Sequence, residues 1–216
     1  SGPMPTAPMR VDDPLMDALE VRGPRVAPDG HALFYWVGEP GIVGDLMLVD
    51  LTTGSPQLPV LLSTRGAGEA LVTNFEWSPD SRWIAYEAEH DQPETFDLYL
   101  VDVSGAVPSP PVLATGGLFP DGSIQALRFE DSSSWVYYVA PQEDMFPQMY
   151  RVDISGSEPG PPQRVSGDTG FLPGEIIPTR DWSMVMYTAD DEDGRQLYVV
   201  DVSGEEAHSG TQPISR

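Results

Sequence analysis

The chain has 216 residues, 40% of them hydrophobic, which suffices for one sizeable domain or a short repeat array. Acidic residues outnumber basic ones 34 to 11 and all 11 cations are arginine, so the formal net charge of −23 argues against nucleic acid as a partner. Absence of cysteine excludes disulfides and thiolate metal sites, and no apolar run approaches the roughly 18 residues of a membrane span, so no membrane insertion is expected.

The first 19 residues read as an arm. Ser1-Gly2-Pro3 has the form of a protease-cleavage scar, which predicts native sequence upstream, and only residues 14–19 carry a turn of helical pattern. From residue 20 onward the chain repeats itself. A turn at Pro28-Asp29-Gly30 precedes an apolar run over 33–37, and a second run ends at Asp50 before Thr-Thr-Gly. The same order returns at Asp80 with the run 83–88 and Asp102, at Asp131 with 135–140 and Asp153, and at Asp181 with 184–189 and Asp201.

Spacings of 51, 51 and 50 between the turn aspartates, and of 52, 51 and 48 between the later ones, share one period. Six residues after each turn aspartate stands a tyrosine: Tyr35, Tyr86, Tyr137 and Tyr187. In the second unit the predicted strands are 72–77, 83–87, 98–103 and 111–114, rich in β-branched and aromatic residues and bounded by Gly, Pro, Asp and Ser.

A lone four-stranded meander cannot cover both of its faces, whereas radial stacking buries each face against the next. The expected architecture is therefore all-β, a β-propeller of four tandem four-stranded blades over 20–66, 67–117, 118–168 and 169–216. The tyrosines are expected between blades. The turn aspartates are expected to accept hydrogen bonds from backbone N–H groups two residues on.

The stretch Phe75-Glu76-Trp77-Ser78-Pro79-Asp80-Ser81-Arg82-Trp83-Ile84-Ala85-Tyr86, followed by Asp97-Leu98-Tyr99-Leu100-Val101-Asp102, resembles the Pro-Asp repeat of TolB-like, WD40-like propellers. The first unit keeps Pro28-Asp29-Gly30, the fourth keeps an acidic hairpin before its third strand, and the third lacks the proline. Such propellers serve as binding platforms in envelope complexes, as gates beside peptidase domains, and in enzymes, so the resemblance implies scaffold or binding work. They commonly have six to eight blades. Four units leave a closed four-bladed ring, half of a two-chain eight-bladed ring, or a piece of a larger propeller, and exposed terminal faces favour the first two.

No catalytic constellation is visible. His31, His90 and His208 fall in unrelated parts of their repeats, Gly-x-Ser-x-Gly is absent, and no phosphate-cradling loop or dinucleotide fingerprint occurs, so no cofactor is expected. Asp190, Asp191 and Asp193 carry the oxygen ligands a hard cation prefers but lack the alternating spacing of a calcium loop, so an acidic hairpin is the plainer reading.

What varies between repeats is the loop joining second and third strands, at 38–44, 89–96, 141–148 and 189–195. These loops should share one face and form a rim rich in acids and aromatics, with Glu89, His90, Asp91, Glu94, Phe96, Glu143, Asp144 and Phe146 as its candidate interaction residues. The expected role is a non-catalytic module of a bacterial periplasmic, envelope or secreted protein that binds a protein or peptide, or that forms a homodimer by ring completion. The alternatives are an accessory or gating propeller of a larger peptidase-type hydrolase, and a metal- or small-ligand-binding propeller using its central channel.

Overall fold

The computed structural model describes residues 20–38, 44–52, 58–63, 72–89, 94–167, 175–191, 194–204 and 212–213. The helical pattern read over 14–19 lies outside them. Among the described residues sixteen strands form four sheets, each an antiparallel meander in chain order. Blade 1 holds β1 (Glu20–Val26), β2 (Ala32–Gly38), β3 (Gly44–Asp50) and β4 (Val60–Leu61), and blade 2 holds β5 (Val72–Trp77), β6 (Trp83–Glu89), β7 (Phe96–Asp102) and β8 (Val112–Leu113). Blade 3 is β9 (Ala126–Phe129), β10 (Trp135–Ala140), β11 (Gln148–Asp153) and β12 (Gln163–Arg164); blade 4 is β13 (Ile177–Pro178), β14 (Met184–Asp191), β15 (Gly194–Asp201) and β16 (Gln212–Pro213).

The fourth strands are only two residues long. Prolines crowd them, at Pro59, Pro110, Pro111, Pro161 and Pro162, and a residue without an N–H cannot extend a ladder. β7 begins two residues earlier than its sequence suggests, because the β6–β7 ladder continues out to the Glu89–Phe96 pair.

In blades 1 to 3 the middle strands are buried on both faces, in blade 4 on one, and in blades 2 and 3 successive residues go to opposite neighbours. From β6, Ile84, Tyr86 and Ala88 join a cluster with Phe34, Trp36 and Leu46 of blade 1, while Trp83 and Ala85 join one with Val136, Tyr138 and Val152 of blade 3. A third cluster joins Tyr137, Val139 and Met149 of blade 3 to Val185, Tyr187 and Val200 of blade 4. The remaining one, Tyr35, Val37, Met47 and Val49 with Leu33 and Leu51, draws on blade 1 alone. Among the described residues no apolar cluster joins blade 4 to blade 1.

Tyr86 stacks on Tyr99, Tyr138 on Tyr150 and Tyr187 on Tyr198, with ring centroids 5.5, 5.4 and 5.4 Å apart. Each pair faces the preceding blade. Burial raises the Tyr86 and Tyr138 phenols and pushes Tyr150 up to about 12, so the stack stays uncharged.

This stack corrects the third repeat. Tyr137 pairs across the ladder with Arg151 and faces blade 4, whereas Tyr138 pairs with Tyr150 and is the true counterpart of Tyr35, Tyr86 and Tyr187. The left-handed turn residues Gly30, Ser81, Ser133 and Trp182 confirm the shift, since they align Asp29 and Asp80 with Ser132 rather than Asp131. One extra residue before the third turn displaced both landmarks together, which is why their mutual spacing looked undisturbed.

Turn capping follows the same division. His31, Arg82 and Ser183 donate their N–H to Oδ1 of Asp29, Asp80 and Asp181 at 2.8, 3.1 and 3.2 Å, while in blade 3 Ser134 donates to the Ser132 hydroxyl at 3.3 Å. The second set of aspartates is uniform. Asp50, Asp102, Asp153 and Asp201 each accept the N–H two residues on, at 2.7 to 2.9 Å.

Neighbouring blades are also stapled at their turns. Ser81 and Ser133 hydroxyls accept the N–H of Asp29 and Asp80 from the preceding blade, both at 3.0 Å. The Trp83 indole spans to the Ile154 carbonyl of blade 3 at 3.1 Å, and the fully buried Arg151 guanidinium, 3.9 Å from the Trp135 ring, reaches the Val202 and Gly204 carbonyls of blade 4. Trp83→Ala is expected to cost about 3–5 kcal/mol by leaving a cavity between blades 2 and 3. Trp83→Phe, which keeps the ring and strands one carbonyl, should cost about 1–2 kcal/mol. Urea denaturation of both variants checks the ordering.

Candidate interaction rim

Each meander sends its second-to-third-strand loop and its link to the next blade out at one end. Between blades 2 and 3 these segments are joined through the backbone. Phe96 N–H donates to the Gly122 carbonyl at 2.9 Å, Phe119 N–H to the Pro141 carbonyl at 2.8 Å, and Gly122 N–H closes the Phe119–Gly122 turn at 2.9 Å. Gly122 is required there, because a Cβ would stand 2.6 Å from the Phe119 carbonyl oxygen and 3.0 Å from the Pro141 ring.

Glu87 anchors this arrangement from inside. Its carboxylate, 3% exposed, accepts the Asn74 amide at 2.7 Å and the Ile124 N–H at 2.9 Å, tying β5 and β6 to the link that leads into blade 3. A second internal device recurs along the chain. Asp45, Asp97 and Gln148, near the start of the third strand in blades 1, 2 and 3, accept the hydroxyls of Ser63, Thr115 and Ser166 at 3.4, 2.6 and 2.6 Å. Sequence reasoning missed these pairs, although their common separation of 18 residues was there to be found.

Of the rim residues expected from the sequence, Glu89 and Phe96 face each other as the last pair of the β6–β7 hairpin, and Glu94 donates its N–H to Glu89 at 3.0 Å. Glu143 pairs with Arg164 at 2.9 Å, and Asp144 caps the Phe146 N–H at 2.8 Å. The structure brings the blade 2 and blade 3 members to one end of the fold. His90 and Asp91 lie outside the described residues. Phe119 and Met145 were not foreseen; they stand 40% and 65% exposed, as Phe146 does at 47%.

In blade 4, Asp190 is engaged by Arg195 through two contacts at 3.0 and 3.2 Å, and that hydrogen bonding holds its carboxyl below the ordinary range. Asp191 is described only as the strand partner of Gly194, and Asp193 lies outside the described residues. Among the described residues no group of three or more His, Asp or Glu gathers in a way that could hold a metal ion.

Along the first strands a cavity of about 360 Å³ opens between Arg25, Asn74, Glu76 and Gln125. Surrounding protein raises the Glu76 carboxyl against the pull of Arg128 and Arg25, so this region carries both signs of charge. No helix among the described residues is long and apolar enough to cross a membrane.

No family model and no curated protein matches the chain. Solved structures do. TolB from Acinetobacter baumannii, 15% identical, superimposes over 91% of this chain and 44% of its own with a TM-score of 0.51. Dipeptidyl peptidase 4 from Porphyromonas gingivalis, also 15% identical, gives 0.60 over 91% of this chain and 32% of its own, and a puromycin-hydrolyzing peptidase from Mycobacterium tuberculosis, 12% identical, gives 0.53 over 91% and 29%. The fold is thus that of TolB-like β-propellers. The chain spans less than half the length of each of these three proteins.

Glu87→Ala strands the Ile124 N–H and the Asn74 amide and is expected to cost about 1–3 kcal/mol, with faster hydrogen exchange at Ile124. Glu87→Gln keeps an acceptor and should lose less. Amide exchange followed by NMR on both variants checks this.

Proposed function

We propose that the chain is a non-catalytic propeller module that binds a protein or peptide through the rim between blades 2 and 3. The observation that carries this reading is the joined surface on which Phe119, Met145 and Phe146 stand exposed among Glu94, Asp121, Glu143 and Asp144. Exposed aromatics and Met supply contact area at low side-chain entropy cost, and a frame held by backbone hydrogen bonds keeps them in place. We read its location as a bacterial periplasm, envelope or secreted setting on the strength of the TolB resemblance alone.

A second reading, the accessory propeller of a peptidase-type hydrolase, draws on the likeness to dipeptidyl peptidase 4. The native gene beyond residue 216 tests it: an α/β-hydrolase nucleophile motif there favours it, and a stop codon removes it.

The two ends of the blade row bear on self-association. Blade 4 ends on Ile177 and Met184, 38% and 43% exposed, whereas Tyr35, Val37, Met47 and Val49 of blade 1 are buried within a single chain. Val21 and Leu61, paired with Val37 and Met47 on that face, are 42% and 49% exposed, so little apolar area is left there for a second copy and we expect the mass of one chain by light scattering across a concentration series. A stable two-chain mass would restore ring completion.

Peptides selected from a random displayed library on the immobilised chain are expected to lose at least tenfold in affinity for the Phe119→Ala/Met145→Ala/Phe146→Ala variant and to keep it for Met184→Ala. Undiminished binding to the triple variant would sink the rim reading.

A further inference from the structure

The opposite end of the fold carries a second, unrelated feature: a wedge-shaped cavity of about 470 Å³ between blades 1 and 2. Its origin lies in one repeat position. Ala32, Trp83 and Trp135 are equivalent, each paired across the ladder with the aspartate that ends the third strand, Asp50, Asp102 and Asp153. Each points its side chain toward the following blade.

Between blades 2 and 3 the Trp83 indole occupies the wedge and donates to the Ile154 carbonyl, with the Arg82 guanidinium 4.9 Å from its ring. Between blades 3 and 4 the Trp135 ring lies 3.9 Å from Arg151, whose guanidinium donates to the equivalent Val202 carbonyl at 2.8 Å. Between blades 1 and 2 the corresponding side chain is a methyl group. Among the described residues nothing donates to the carbonyl of Val103, the third member of that series.

The walls of the open wedge are Ala32, Leu48, Trp77 and Val103, and the exposed carboxylates of Asp29, Asp50 and Asp80 line its mouth. His31 sits 3.4 Å from Asp29, and Arg82, the one guanidinium among the described lining residues, is committed to Asp102 at 2.9 Å and to the Gly156 carbonyl. A cavity with these apolar walls, a carbonyl acceptor in its lining and three carboxylates at its mouth has room for an aromatic side chain that carries an N–H donor and for a cation beside it.

We propose that this wedge is a binding site for the tryptophan side chain of a basic peptide segment from a partner protein, the indole filling the place that Trp83 and Trp135 fill in the next two wedges while a neighbouring cation meets the carboxylates. The site is distinct from the rim and does not depend on it.

The test uses the whole chain, isotope-labelled, titrated with acetyl-Trp-Arg-amide, acetyl-Trp-Glu-amide and acetyl-Leu-Arg-amide. Saturable shifts are expected at the amides of Ala32, Val103 and Ser104 with the first probe, at least fivefold weaker binding with the other two, and no change on the rim. Ala32→Trp should fill the wedge from within and abolish these shifts while raising Tm. Should it fail to fold, Ala32→Met, the residue blade 4 carries at this position, is read in its place and should weaken binding at least threefold. Asp29→Asn/Asp50→Asn keeps the turn acceptors and should reduce the Trp-Arg probe to the level of Trp-Glu. Absence of saturable shifts at these amides, or undiminished binding in the filled variant, overturns the proposal. The Phe119→Ala/Met145→Ala/Phe146→Ala variant should bind the probe normally, so failure of the rim reading leaves this result intact.

Discussion

Burial of meander faces against neighbouring blades, on both sides in blades 2 and 3, is the constraint on which the remainder of the structure depends. A buried side chain of Leu or Phe size contributes about 1.5–3 kcal/mol, and a net hydrogen bond about 1 kcal/mol, so the three inter-blade clusters outweigh the staples that accompany them. Their division of labour follows. Apolar faces hold the blades together without specifying their angle, while directional contacts such as Trp83 to Ile154 and Arg151 to Val202 set how one blade sits on the next.

That constraint leaves the two ends of the fold unequal. At the turn end, short Asp- and Ser-capped connections recur, and the turns at Asp29 and Asp80 are also bonded to the following blade. At the other end Leu118 and Ile124 of the link pack between blades 2 and 3, and internal anchors, Glu87 and the three Asp or Gln to Ser or Thr pairs, satisfy buried polar groups one layer below the loop tips. Variation at the tips then costs the core nothing. Glu94, Phe119 and Phe146 can differ from their counterparts in other blades because the strands beneath them do not rely on them.

Local departures from the repeat carry the most information. The extra residue before the third turn changes which tyrosine faces which blade yet preserves the stack, because Tyr138 stands ready beside Tyr137 and the latter meets Trp182 at 5.2 Å in the next interface. Replacement of tryptophan by Ala32 is the opposite kind of change. Trp77 crosses this interface to the Arg25 carbonyl at 3.2 Å without filling the space, and a cavity remains.

Much was legible from the sequence alone: four blades, the strand order within each, and the capping role of Asp29, Asp80 and Asp181. These follow from a two-residue strand alternation and from turn chemistry that reaches only two residues along the chain, so a linear pattern contains them. The phase of the third blade, the anchoring by Glu87, the exposure of Phe119 and Met145 beside Phe146, and the open wedge at Ala32 were decided by tertiary structure. Each depends on what a neighbouring blade, some 50 residues away, presents across an interface, and a repeat period measured between landmarks cannot show which face a side chain takes once a single residue has been inserted.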